Sequence, residues 1–402
     1  MSTAITRQKP TSNKLLSLLL FLYVCSVLLF PDIPILSRGS LVVAAMMGVV
    51  LLFHYLSLGQ LVVSRWMVWP FLFLFYALIS VWWSPAPDSA MVSMFSLYSA
   101  ALGGLFLWVA LLNGGSWKSV VVGCLISGII IMLSALPELA TAGENMRLAG
   151  MLGNPNTLAI HLTTAAFVLL AAEEKKQLFA LVALFFIFFA TIFSGSIKML
   201  LFWGLFLIYL AVRLQLWSAS SNVRKALLIA VYLLLFILPL VIGSVLWEQI
   251  QELTVTKRFI HLLAGENTSG TTRLAMIEEA LAVWVEHPYF GVGIDQFRVV
   301  GTYGTYSHNN YAEMLADFGL FGTLLFYLTK LLLFLLCVIR LFRDSRYLLI
   351  FLMIVNSLLW DVALVSYMEK SAWLMTAIAF FLLVKQAGIR NERSEEAYAQ
   401  GG

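Results

Sequence analysis

Four polar stretches of this chain carry residues able to do chemistry. The tetrad Ser307-His308-Asn309-Asn310 places an imidazole directly before Asn310, Glu313 and Asp317, which share one face at helical spacing. A neutral imidazole there can take a proton from a hydroxyl near neutral pH. Upstream, Arg273 opens a segment that runs to the Pro288 turn. Arg147 precedes Asn154-Pro155-Asn156, and Lys198 closes the turn Ser194-Gly195-Ser196-Ile197. Taken singly, each cation has an ordinary reading. Arg147 would be a solvated charge beside a helix entry capped by Asn156, Lys198 a lysine reaching for water, and Arg273 a surface charge. Their interest lies in company: polar residues gathered at one edge of an otherwise apolar molecule.

Several chemistries find no support. HExxH, CxxC, a phosphate-binding Walker loop and GxSxG are absent, and Gly291-Val292-Gly293 reads as a turn and not a nucleotide fingerprint. No acidic pair has metal-site spacing, so no metal and no cofactor are expected. Cys25, Cys124 and Cys337 fall inside apolar runs and form no disulfide framework.

The elements that must position these residues are membrane spans. The 402 residues are 61% hydrophobic and 11% charged, with a mean hydropathy of +0.92, against about 25% charged in a soluble domain. Long apolar runs select helices over a barrel. At roughly 20 residues per span, we place twelve: 15–30, 41–58, 67–83, 91–112, 119–136, 157–172, 178–193, 199–214, 226–247, 319–338, 347–360 and 373–385. The expected fold is an all-α polytopic membrane protein. Residues 1–247 form spans one to nine, 248–310 a long periplasmic loop with helices of its own, 311–386 spans ten to twelve, and 387–402 a cytoplasmic tail. Within the loop, Leu274, Ile277, Leu281 and Trp284 recur on one helical face.

Orientation follows the Lys and Arg bias. With the N-terminus inside, about twice as many of the 25 Lys and Arg residues lie on cytoplasmic flanks as on the opposite side. Both termini are then cytoplasmic. Arg147, Lys198 and Arg273 belong to the minority that breaks the trend, and Lys330 falls within a span.

In this order, Arg147…Asn154-Pro155-Asn156, Ser194…Lys198, Arg273…His287-Pro288-Tyr289-Phe290-Gly291-Val292-Gly293 and Ser307-His308-Asn309-Asn310-Tyr311…Gly319-Leu320-Phe321-Gly322, the chain resembles the O-antigen ligase and O-antigen polymerase superfamily of bacterial envelope enzymes. The resemblance covers the second half well and the first half mainly by topology. It implies a fold similar to the GT-C membrane glycosyltransferases, placed in the bacterial inner membrane. It also implies metal-independent, inverting transfer of a glycan from undecaprenyl pyrophosphate to a sugar hydroxyl at the periplasmic face. His308 and Arg273 would be catalytic. Arg147, Lys198, Arg273, Asn154, Asn156, Asn309, Asn310 and Glu313 would bind pyrophosphate or glycan. Where family members often carry Arg in the Ser194–Lys198 turn, this chain has Lys198, which keeps the charge but loses the bidentate fork.

A polymerase is the first reading. A ligase delivering glycan to lipid A–core is the alternative, and a polysaccharide flippase the more distant one. A flippase should place its polar residues near the midplane of several spans, whereas here most lie at one face. The expected partners are the lipid-linked donor, a glycan or lipid A–core acceptor, membrane lipids and, as an optional one, a chain-length regulator; no nucleic acid is expected. The topology predicts that a cysteine introduced at Thr302 reacts with an impermeant thiol reagent added from the periplasmic side. Labelling from the cytoplasmic side alone would refute it.

Overall fold

The computed structural model describes residues 13–31, 37–140, 147–172, 176–194, 199, 206, 209, 268–341, 344 and 346–400. The expected spans at 199–214 (three positions apart) and 226–247, the stretch 248–267 and Lys198 lie outside them. The described residues form helices α1 (Lys14–Leu29), α2 (Ser37–Leu58), α3 (Val68–Ser80), α4 (Pro87–Leu112), α5 (Trp117–Ala135), α6 (Pro155–Leu170), α7 (Lys176–Ser194), α8 (Thr268–Glu286), α9 (Phe297–Val300), α10 (Asn310–Leu341), α11 (Tyr347–Asp361) and α12 (Lys370–Gln400), with no strand among them. Among the described residues, five stretches are long and apolar enough to cross a membrane: Arg38–Leu58, Arg65–Trp83, Pro87–Leu112, Trp117–Glu138 and Asn310–Leu341. Four shorter apolar helices accompany them. This is a helical membrane protein, as a chain that must satisfy its own backbone in lipid has to be.

Packing divides the chain into two compact units. The expected boundaries at 247, 310 and 386 divide it by topology instead. The first unit holds Met1–Ser127, Ala275–Leu333 and Ser357–Gly402. Here α4 packs against α12, α2, α1 and α3, with the Trp108 ring stacked on Phe380 at 4.7 Å. The second unit holds Gly128–Leu274 and Phe334–Asn356, and its main contact is the α6–α7 pair.

The feature that shapes the first unit is a break in α10. The expected span began at 319, but the helix starts at Asn310 and is interrupted at Gly319, whose φ of 60° and ψ of −165° no helix contains. The turn Pro288–Gly293 inserts into that break. Val292 N donates to Ala316 O at 2.9 Å and Gly293 N to Asp317 O at 2.7 Å. In return, Leu320 N donates to Pro288 O at 2.9 Å and Phe321 N to Tyr289 O at 3.2 Å. The groups that the break strips from the i→i−4 ladder thus find partners on the turn. The approach is so close that a Cβ on Gly319 would lie 2.4 Å from Tyr289 backbone, and one on Gly291 (φ 67°) 2.4 Å from Asp317 backbone. From α3, the Tyr76 hydroxyl donates to Phe318 O at 2.9 Å and lies 3.2 Å from Phe290 O.

The apolar face expected on α8 divides: Ile277 packs, with Ala280 and Val283, against Phe297, Ala312 and Ala316, while Leu274 and Leu281 are exposed.

Gly319→Ala should cost about 1–3 kcal/mol for its positive-φ, glycine-only backbone alone, and more for the clash. Gly304 also has a positive φ, of 62°, but nothing lies within 4 Å of its Cβ position. Thermal unfolding should therefore show Gly319→Ala well below Gly304→Ala; equal losses would refute the inserted turn as the tighter constraint.

Candidate functional site

The site in the first unit is built on the start of α10. Asn309 caps the helix: its Oδ1 accepts from Ala312 N at 2.9 Å, and its Nδ2 donates to Val362 O at 2.9 Å. His308 stands immediately before this cap, half-buried, with a φ of 59°. Left-handed backbone is uncommon outside glycine, and where it persists the surroundings over-determine it. They do so here. Ser307 N donates to Glu313 Oε2 at 2.6 Å, and the Ser307 hydroxyl donates to Asn309 O at 2.9 Å. The Tyr306 ring lies 4.4 Å from the imidazole, centroid to centroid. The imidazole is thus fixed from both flanks and keeps a partly open face.

Beneath it lie three buried carboxylates, Asp295, Glu313 and Asp317, with oxygens within 4.8 Å of one another. Most of these oxygens hold the surrounding loops. Asp317 accepts from Phe297 N at 2.8 Å, the start of α9, and from the Tyr367 hydroxyl at 3.0 Å. Asp295, the other non-glycine residue with positive φ, accepts from the Ser93 hydroxyl at 2.5 Å and pairs with Arg298 at 2.6 Å. Burial pushes the Asp295 carboxyl up, while Ser93 and Arg298 draw it back. Burial would lower Arg298, but the charge of Asp295 raises it on balance. Burial, with Asp317 next, drives the Tyr367 hydroxyl well up, so it remains a donor. Glu313 Oε1 accepts no hydrogen bond from the described residues. This carboxylate set is where a cation would be held in this unit.

A second polar network continues from Asn310. Its Oδ1 accepts from Ser366 N and Tyr367 N, at 2.8 and 3.1 Å, and its Nδ2 donates to the Tyr327 hydroxyl at 2.8 Å. Tyr327 and Lys330 both donate to Asp361 Oδ2, at 3.1 and 2.6 Å, and the Ser366 hydroxyl donates to Asp361 Oδ1. Lys330 lies over the Phe326 ring, beside a small cavity lined by Phe73, Thr329, Ser366 and Trp373. Asn310 and Glu313, expected as glycan contacts, are thus fully buried with protein partners, directly under His308.

In the second unit, Arg147, Asn154 and Asn156 come together. Asn154, and not Asn156, caps α6, accepting from Asn156 N at 2.8 Å with Pro155 at the first helical position. Arg147 Nε donates to Ser194 O at 2.8 Å, and its Nη2 to Asn156 Oδ1 at 3.3 Å. A guanidinium on the last carbonyl of α7 also suits that helix end electrostatically. Arg273 is half-buried in α8.

Asp295, Arg298, Tyr367 and the Lys330–Asp361 pair were not singled out as site residues from the sequence. Lys330 stood out as an in-span charge; Asp361, the residue after the eleventh span, was the available signal, because charges at apolar helices pair. Breaking a buried pair strands one charge at about 3–5 kcal/mol. Lys330→Met alone should therefore unfold at markedly lower temperature, and Lys330→Met with Asp361→Asn should recover most of the loss. A double variant no better than the single one would refute the pairing.

A family described as O-antigen ligase matches residues 161–327. The match takes in Lys198, Arg273, His308, Asn309, Asn310 and Glu313, while Arg147, Asn154 and Asn156 precede it. No curated protein matches the chain. The matched segment, under half of the chain, runs from α6 through the inserted turn and the histidine-bearing start of α10, and it supports the chain's resemblance to the O-antigen ligase and polymerase superfamily.

Proposed function

We propose that this protein is an inverting, metal-independent glycosyltransferase of the O-antigen type. It moves a glycan from undecaprenyl pyrophosphate to a sugar hydroxyl at the periplasmic face of the bacterial inner membrane, and a polymerase is the first reading. Ligation to lipid A–core uses the same chemistry and is the alternative. The observation that carries this reading is His308: an imidazole held in left-handed backbone directly before a capped helix, within the segment matching the O-antigen ligase family.

In this mechanism His308 takes the proton from the acceptor hydroxyl as its oxygen attacks the anomeric carbon. The glycosidic C–O bond breaks on the opposite face, and the electron pair leaves with the pyrophosphate. Arg273, with Arg147 and Lys198, would receive that developing charge. Asn154 and Asn156 belong to the Arg147 corner, where they would hold the guanidinium and meet the glycan. Asn309, Asn310 and Glu313 act on the backbone that carries His308.

General-base catalysis contributes roughly 10²–10⁴-fold. His308→Asn tolerates left-handed backbone but supplies no useful base, so it should keep thermal stability and lose transfer by about that factor. Purified protein, a lipid-pyrophosphate-linked glycan, an acceptor and EDTA make the assay. Near-normal turnover by the variant refutes His308 as base, and loss of wild-type turnover in EDTA refutes metal independence and points to Asp295, Glu313 and Asp317. Arg273→Lys should impair transfer nearly as much as Arg273→Ala, because a lysine cannot reproduce a bidentate phosphate contact; full activity of the lysine variant would refute that role.

A further inference from the structure

The inserted turn also presents an apolar surface that the reaction chemistry does not use. Tyr289 and Phe290 are 60% and 56% exposed, and Val285, at the end of α8, is 71% exposed. Leu281, 38% exposed, lies one helical turn before Val285 on the same face, at the border of the Ile277–Ala280–Val283 seam. The surface does not end at the turn. Phe290 meets Phe321 of α10 at 5.5 Å and Trp83, at the end of the Arg65–Trp83 span, at 6.1 Å. Beside Trp83, Trp82 is 87% exposed.

Length places this surface along the membrane normal. The 32 residues of α10 would extend ~48 Å, well beyond a hydrocarbon core of about 30 Å. The piece from Gly319 to Leu341 extends ~34 Å, which matches that core. Asn310, Glu313 and Asp317 all lie in the other piece. The break at Gly319 therefore marks the edge of the hydrocarbon, and the turn locked into it lies at the same depth. Tryptophan and tyrosine favour that layer, with an apolar ring and a polar edge.

We propose that the outward face of Leu281–Phe290, with Trp82 and Phe321, is a membrane-docking surface seated in the lipid interface. A bilayer is the occupant because the patch continues the exposed surfaces of two spans, and because its exposed rings, Trp82, Tyr289, Phe290 and Phe321, are of the kind that favours the lipid interface. The docked turn fixes the height of the first half of α10. On a helix set near the membrane normal, that half rises ~15 Å and carries His308 clear of the hydrocarbon.

The test uses full-length protein with Cys25, Cys124 and Cys337 replaced by alanine. Val285→Cys and Tyr289→Cys are labelled singly with an environment-sensitive fluorophore, and Leu281→Cys serves if Tyr289→Cys fails to fold. In vesicles of phosphatidylethanolamine and phosphatidylglycerol, quenching by aqueous iodide should be lost. Nitroxide lipids spin-labelled near the headgroup should quench both positions. Stronger quenching by iodide than by lipid at either position overturns the proposal. Protection from both quenchers overturns it too, because protein, such as a second copy of the chain, would then cover the surface.

Discussion

The backbone exchange between the Pro288–Gly293 turn and the break in α10 is the constraint on which the first unit depends. A helix interrupted at an apolar boundary leaves carbonyl and amide groups without partners, and in lipid such groups cost several kcal/mol each. Four hydrogen bonds to the turn satisfy them, two donated in each direction. The exchange requires near-contact of two backbones, and the glycines at 291 and 319 permit it. Tyr76 fastens α3 to the same junction through Phe318 O.

Once the turn is seated, the chain after it has little freedom. Residues 294–297 pass under α10, where Asp317 caps α9. They are also tied to the α3–α4 corner: Ile294 N donates to the Ser80 hydroxyl, and Ala86 N donates to Gln296 Oε1. The loop after α11 is drawn to the same helix end by Asn309, Asn310 and Asp317. His308, with Asn309 and Arg298, is thus at the partly exposed edge of a polar assembly whose carboxylates, Asn310 and Tyr367 are buried. Such an assembly specifies one arrangement because each unpaired member would carry its full desolvation cost.

The charged pair Lys330–Asp361 extends this assembly into the apolar part of the unit. A buried ion pair contributes little net stability, and its value lies in geometry. Asp361 ends α11 and accepts from three side chains, two on α10 and one from the loop that follows. That convergence sets the path of residues 362–369 and so the position of Tyr367 beside Asp317.

Composition alone determined that the chain is a bundle of membrane helices, because a chain with this little charge can satisfy its backbone in lipid only that way. The His308 tetrad, the helical face of Asn310, Glu313 and Asp317, and the Pro288 turn were legible too, since spacing and residue type are local properties. The resemblance built on them agrees with the family match over 161–327. What the sequence could not display was partnership. It offered Gly291 as a turn residue and Gly319 as the start of a span, and only tertiary structure made them the two sides of one contact. It marked Lys330 as an isolated in-span charge, while Asp361 lies 31 positions away. It showed one apolar face on α8, of which Ile277 packs inward beside Ala280 while Leu274 and Leu281 are exposed. Asp295 stood in a loop with no motif around it, and its role rests on Ser93 from 202 positions away. Local pattern fixes which side chains a helix presents, but which distant group meets them depends on the path of the whole chain.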